Sequence, residues 1–453
     1  MSQTEDASYI PLNDKRIINA WAMFDWANSS FALVIAVAVF PQYYVALFDA
    51  QEKVLGSPNI SFLGMELPPS SLFSYALAFA YMIIALSLPL LSGIADYGGR
   101  KKRFMRIFTT IGSLACISLF GFYAGEDNII SYSSLLIGVF GFVLAVIGFA
   151  GGQVFYNSYL PLIASNDQVD RVSAKGFSYG YIGSVILLVI NLLMIQFPET
   201  FFISDGSLAA RISFIMVGVW WIGFAQITFR RLPKEPKPKD DTDLLSRGYK
   251  ELRNVWRQVR QKKNIKSFLA SFFFYSAGVQ TVIYLAAIFA TDELKFDGSE
   301  LILLILILQI VAIGGAYVFS KISESEGNKS ALISMLIIWM SICLGAFFVT
   351  SKIQFYFIAV LVGLVMGGIQ SLSRSTYSKL IPANTTDTAS YFSFFDVLEK
   401  VAIVLGTFSF GLIAQIMGSM RNSVLALIIY FVIGLLILMT VNMRDAEELE
   451  AQA

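Results

Sequence analysis

The sequence predicts an all-α membrane protein in which twelve transmembrane helices form two pseudo-symmetric six-helix bundles. Three observations carry that prediction. Of the 453 residues, 56% are hydrophobic and only 14% are charged, where soluble domains run nearer ~25% charged. The apolar residues fall into runs long enough to cross a bilayer, which takes ~20 mostly apolar residues each. A charged, proline-bearing stretch at mid-chain separates two sets of six such runs with matching polar features, as duplicated transporters do.

The runs lie at residues 17–47, 71–95, 104–124, 131–160, 172–196, 208–229, 266–291, 299–320, 330–350, 353–380, 388–417 and 422–443. They divide the chain into a tail (1–16), a first bundle (17–230), a linker (231–265), a second bundle (266–443) and a short tail (444–453). An even number of spans puts both termini on one side. Arg100, Lys101, Lys102, Arg103 and Arg106 follow the second run, Arg171 and Lys175 the fourth, and a dense basic set the sixth. The alternate loops carry only Lys53, Arg211, Lys295, Lys352 and Arg421. Basic loops stay inside, so both termini are expected in the cytoplasm, in a bacterial inner membrane. The opening "MSQTEDASYIPLNDKR" lacks an apolar core behind a basic start and does not read as a cleavable signal peptide.

Within the linker, "RRLPKEPKPKDDTD" (230–243) cannot span. In the next segment Leu245, Tyr249, Leu252, Trp256 and Val259 recur at helical spacing, with Arg247, Lys250, Arg253, Arg257 and Arg260 on the other face. That pattern predicts an amphipathic helix on the cytoplasmic leaflet, the alternative being a solvated basic connector.

Several function classes drop out. A net charge of +1 argues against a nucleic-acid partner, and the absence of histidine removes imidazole metal sites, Ser-His-Asp triads and histidine proton relays. Cys116 and Cys343 sit inside apolar runs and suggest neither disulfide nor metal. No phosphate-binding Gly-x-x-x-x-Gly-Lys-Ser/Thr loop occurs, so transport would draw on a gradient. No cofactor and no enzymatic chemistry are expected. The expected partners are a small-molecule substrate, a coupling proton and membrane lipids, around a monomer.

Polar residues inside apolar runs are the candidate site, because a carboxylate at mid-membrane costs ~2.5–3.5 kcal/mol on insertion scales. Asp25 and Asn28 share one face of the first span. Gln153 and Asn157 do so in the fourth, Tyr275 and Gln280 lie in the seventh, and Arg374 lies late in the tenth. Asp396, Glu399 and Lys400 form a stripe in the eleventh. Each has a structural alternative. Asn28, Gln153 and Asn157 can be interhelical hydrogen-bond glue, Asp396 and Lys400 a self-neutralising i,i+4 pair, Arg374 an interfacial cation and Asp25 a cap. Lys400 is the partner expected for Asp25.

After the second span, "SGIADYGGRKKR" supplies Gly93, Asp96, Gly99, Arg100 and Lys101. After the eighth, Glu324, Gly327 and Lys329 repeat the acid-x-x-Gly-x-Lys spacing. An acid at Asp96 can face the positive N-terminus of a helix from the other bundle, and Arg100 can pair with a nearby acid. Contacts of that kind exist only while the bundles close on that side, as a gate requires.

"GIADYGGRKK" resembles the loop signature of the major facilitator superfamily. "FDWANSSF", "FYNSYLPLIA", "DRVSAKGFSYGYIGS" and "GGIQSLSRSTYSKLIP" resemble one branch of it, the autophagy-linked vacuolar amino-acid effluxers of fungi and their bacterial relatives. The likeness covers all twelve spans. It implies the major facilitator fold, alternating access and amino-acid efflux. Two departures bear on the cavity. Ala277 precedes Gly278 where the branch tends to carry an acid, and Asp396 and Glu399 are acids at positions expected to vary, although Lys400, Gly406 and Gly411 fit. Another small metabolite such as a sugar or peptide fragment, or a non-transporting receptor on the same fold, stays open.

Overall fold

The computed structural model describes residues 11–233, 244–382 and 385–443, so most of the proline-bearing linker and the C-terminal tail lie outside the described residues. Among the described residues, twelve helices are long and apolar enough to cross a membrane: Lys15–Leu55, Pro69–Gly98, Lys101–Gly121, Tyr132–Ile163, Val169–Gln196 and Gly206–Arg231 in the first bundle, then Lys263–Leu294, Glu300–Glu326, Asn328–Phe348, Lys352–Leu380, Thr388–Met417 and Met420–Met439 in the second. They are called spans 1 to 12 below. The end holding the 2–3, 4–5, 6–7, 8–9 and 10–11 connections is called the basic end.

Local chemistry sets the helix ends. Asp297 with Glu300, and Ser351 with Gln354, form capping boxes at the starts of spans 8 and 10. Gly99, at φ 58°, closes span 2 in the left-handed conformation that the tight turn into span 3 needs. Span 1 is longer than its apolar run, and residues Phe31–Ala38 are π-helical. Pro41 follows three residues later; its ring crowds the carbonyl four residues back, and a widened turn relieves that clash.

The bundles meet through span 5 against spans 8 and 10, and span 11 against spans 2 and 4. Glycines permit close crossings within each bundle, as where Gly112 of span 3 faces Gly148 of span 4. At the end opposite the basic one, Arg211 donates to the Phe120 carbonyl at 2.7 Å and Arg421 pairs with Glu293 at 2.8 Å, each inside its own bundle.

The amphipathic linker helix runs over Leu244–Gln261. The expected lipid-facing stripe does not hold as a unit. Gly248, Val255 and Val259 are buried in protein, while Leu245, Tyr249 and Trp256 remain exposed. Gly248 lets the helix backbone abut Gly93 and Ile94 of span 2, leaving no room for a side chain at either glycine. From there Tyr391 of span 11 donates to Gln258 at 2.7 Å, and the Trp256 and Phe394 rings lie 5.2 Å apart. The helix therefore touches span 2 of one bundle and span 11 of the other.

Candidate functional site

Asp25 lies ten residues into span 1, about 15 Å from the basic end at 1.5 Å per residue. It is buried, and so needs partners. Tyr156 of span 4 donates its hydroxyl to Asp25 Oδ2 at 2.7 Å, and Gln153, one turn earlier, also reaches the carboxylate. The cation is not Lys400, as the sequence suggested. It is Arg374, whose Nη1 lies 3.3 Å from the same oxygen. It is a side chain of span 10, rather than one of span 11, that reaches across to Asp25.

Arg374 is itself only 3% exposed, and so is no interfacial cation. Its Nε donates to Ser173 Oγ at 3.0 Å, Nη2 to the Ser173 carbonyl at 2.8 Å, and Nη1 also to Asn157 Oδ1 at 3.3 Å. Three rings face the guanidinium carbon: Phe177 at 4.2 Å, Trp21 at 4.9 Å and Tyr156 at 5.4 Å. Cation–π attraction and a planar five-donor fork explain why arginine suits this place. Stripping one partner from a buried ion pair of this kind costs ~3–5 kcal/mol, because the other charge is left alone.

The span 11 stripe divides its labour differently from an i,i+4 pair. Lys400 Nζ pairs with Glu399 at 2.5 Å, and Gln280 of span 7 donates to the other oxygen of Glu399 at 3.1 Å. Glu399 and Lys400 keep side-chain exposures of 23% and 11%. Tyr81 of span 2 and Tyr284 of span 7 neighbour each other here, and the Tyr81 ring lies 6.0 Å from Lys400 Nζ. Asp396 sits between the two groups. Its Oδ1 accepts from Asn157 Nδ2 at 3.4 Å, while Oδ2 is buried without a partner. Adjacent residues of span 11 thus serve different neighbours.

Two candidates stand apart. Tyr275 shares a hydrogen bond of 2.7 Å with Ser373 inside the second bundle. Asn28 is buried with neither amide atom bonded.

At the basic end, Asp96 accepts the backbone N–H groups of Ala389 (3.1 Å) and Ser390 (2.7 Å), at the N-terminus of span 11. The cation beside it is Lys101, 3.1 Å away. Lys101 also donates to the Thr386 carbonyl and to Thr388 Oγ1. The stem of Arg100 covers Gly98. Gly93 serves the linker helix. A second tie, which sequence reasoning missed, joins Asp170 of span 5 to Lys379 of span 10 at 2.7 Å, with Asn328 and Ser323 donating to the same carboxylate. Asp170 stands in the quoted "DRVSAKGF" but looks there like an ordinary first-turn acid. Trp21 and Ser173 were missed too, since neither differs in type from packing residues around it.

Twelve spans in two bundles with buried charges between them define a transporter of the major facilitator type. The fold resembles the proton:xylose symporter XylE, with a TM-score of 0.70 at 13% identity over 98% of this chain and 99% of that one. It also resembles FucP in its outward conformation, with a TM-score of 0.67 at 12% identity over 94% of this chain and 100% of that one. Within that class the chain belongs to the family described as vacuole effluxer Atg22 like, whose profile matches residues 13–450. A Bacillus subtilis relative described as an uncharacterized MFS-type transporter, YxiO, is 31% identical over 435 residues, 96% of each chain. Autophagy-related protein 22 of Kluyveromyces lactis is 25% identical over 95% of this chain and 94% of its own.

Proposed function

We propose that this transporter exports an amino acid by alternating access, as a secondary carrier in a bacterial inner membrane with both termini in the cytoplasm. The observation that carries the reading is the Gln280–Glu399–Lys400 group with its partly exposed charges. It offers a carboxylate for an ammonium group and an ammonium for a carboxylate on adjacent residues of span 11, as a zwitterion requires. The family resemblance supplies efflux and the amino-acid class. The basic loops supply the orientation.

On this reading the structure is the state closed to the cytoplasm. Asp96 with span 11, Asp170 with Lys379, and Asp25 with Arg374 tie the bundles together on that side and must separate for it to open. Asp396, with a free carboxylate oxygen between the two polar groups, is the candidate carrier of a coupling proton. Counterflow in proteoliposomes, with each common amino acid preloaded and traced in turn, tests the proposal. Accumulation of one or a few, lost in Lys400→Ala, supports it. Flux of sugars or peptides alone would move the cargo to another class, and no flux of any solute would favour a receptor.

A further inference from the structure

The pocket that receives Arg374 is built to hold a cation whether or not Arg374 is there. Arg374 belongs to the second bundle, whereas Trp21, Asp25, Tyr156, Asn157, Ser173 and Phe177 belong to the first. The walls are bonded to one another. Trp21 Nε1 donates to the Tyr156 carbonyl at 3.0 Å, the Trp21 and Tyr156 rings stack at 4.4 Å, and the Tyr156 hydroxyl holds Asp25. Gly176 of span 5 keeps the pocket open. A Cβ there would meet the Tyr156 hydroxyl, the Trp21 ring and Arg374 Nη2 at 2.7 to 2.9 Å.

If the bundles part at the basic end, as the transport reading above requires, Arg374 leaves with span 10. What stays behind is a carboxylate, a backbone carbonyl and an amide oxygen arranged around a flat slot between aromatic faces. A buried carboxylate so placed calls for a replacement cation, and the slot selects a planar one that donates on several edges. We propose that the vacated socket is a binding site for guanidinium-bearing solutes of the arginine and agmatine kind, with Arg374 acting as a tethered competitor. Return of Arg374 on closure evicts the guest's head group from the socket, so the same movement that seals the basic end releases the solute.

Chemical rescue tests this without transport. Arg374→Ala empties the socket, and the thermal midpoint of the purified protein is read against low-millimolar guanidinium chloride, L-arginine, ammonium chloride and sodium chloride. A ligand at ten times its Kd raises the midpoint by roughly 1–2 °C in a chain of this length. The expected result is a saturable rise with guanidinium and arginine, little with ammonium or sodium, and none once Asp25→Asn or Gly176→Ala is added. Arg374→Gln carries the same measurement should the alanine variant fail to insert. A rise equal with sodium, a rise that survives Asp25→Asn, or recovery by acid pH alone would overturn the proposal, the last by making a proton the occupant. Because the readout is stability in detergent, its failure is separable from a failure to carry amino acids in vesicles.

Discussion

Ser390 donates its backbone N–H to Asp96 at 2.7 Å, joining the start of span 11 to the end of span 2 across the two bundles. The acid therefore sits on the positive end of a thirty-residue helix, with Ala389 as a second donor and Lys101 beside it. Asp96→Asn keeps the shape and removes the charge. The expected loss is ~1–2 kcal/mol of closure, roughly 5- to 30-fold in the closed-to-open ratio. A cysteine placed at Asn157 should then react faster with thiol reagents from the basic end. Unchanged reactivity would make the loop a topology signal only.

The Asp170–Lys379 tie lends itself to a double-mutant cycle. Lys379→Met alone leaves a carboxylate that is 3% exposed without its cation, at an expected cost of ~2–3 kcal/mol because Lys379 is itself partly solvated. Adding Asp170→Asn should recover part of that loss, since the neutral amide keeps hydrogen-bonding partners in Asn328 and Ser323. Thermal midpoints of the four proteins give the coupling directly. Simple additivity would show that the tie does not operate as a pair.

At the polar group in span 11, Lys400→Ala and Glu399→Gln each remove one charged contact for a zwitterion. Each such hydrogen bond to a charged group contributes ~1.5–3 kcal/mol, about 10- to 100-fold in affinity. Both variants should insert normally, lose the ligand-induced thermal shift and fail to accumulate solute. Retention of both properties would make the pair structural and move the search to Gln153, Asn157, Tyr275 and Asn28.

Asp387, just ahead of span 11, gives a pH signature. Burial and the Glu251 carboxylate facing it from the linker helix raise its carboxyl to about 6, against the opposing pull of Lys101. A carboxyl raised in the folded state holds its proton after the unfolded chain has lost it. The stability of this region therefore falls as pH climbs from about 4 to about 6, and stays low above that. Asp387→Asn should melt higher than the unmodified protein above pH 7, with the difference closing below pH 5. A constant difference across that range would show that Asp387 does not titrate there.

The orientation has its own test. Cysteines at Asp127 and Lys102 lie at opposite ends of span 3. An impermeant thiol reagent added to intact cells should label the first and spare the second.

The spans were legible because solvation by lipid is a property of ~20 consecutive residues and needs no knowledge of neighbours. The polar faces were legible for a similar reason, since helical periodicity alone puts Asp25 and Asn28, or Gln153 and Asn157, on one side. Periodicity cannot say which helix each face meets. Asp25 could be assigned a cation but not the right one, and the linker stripe could be drawn but not split between span 2, span 11 and the surface.

By itself, then, the sequence determined twelve helices, their repeat and an inventory of charges too costly to be idle. Only the tertiary structure decided that Arg374 meets Asp25 across 349 residues of chain, that Lys400 turns to Glu399, and that Asp170 is a tie. The reason is one of range. Apolar length and helical phase act within a segment, whereas the rotation of each helix about its axis is set by the fit of all its neighbours at once, with small residues such as Gly176 fixing how closely they approach.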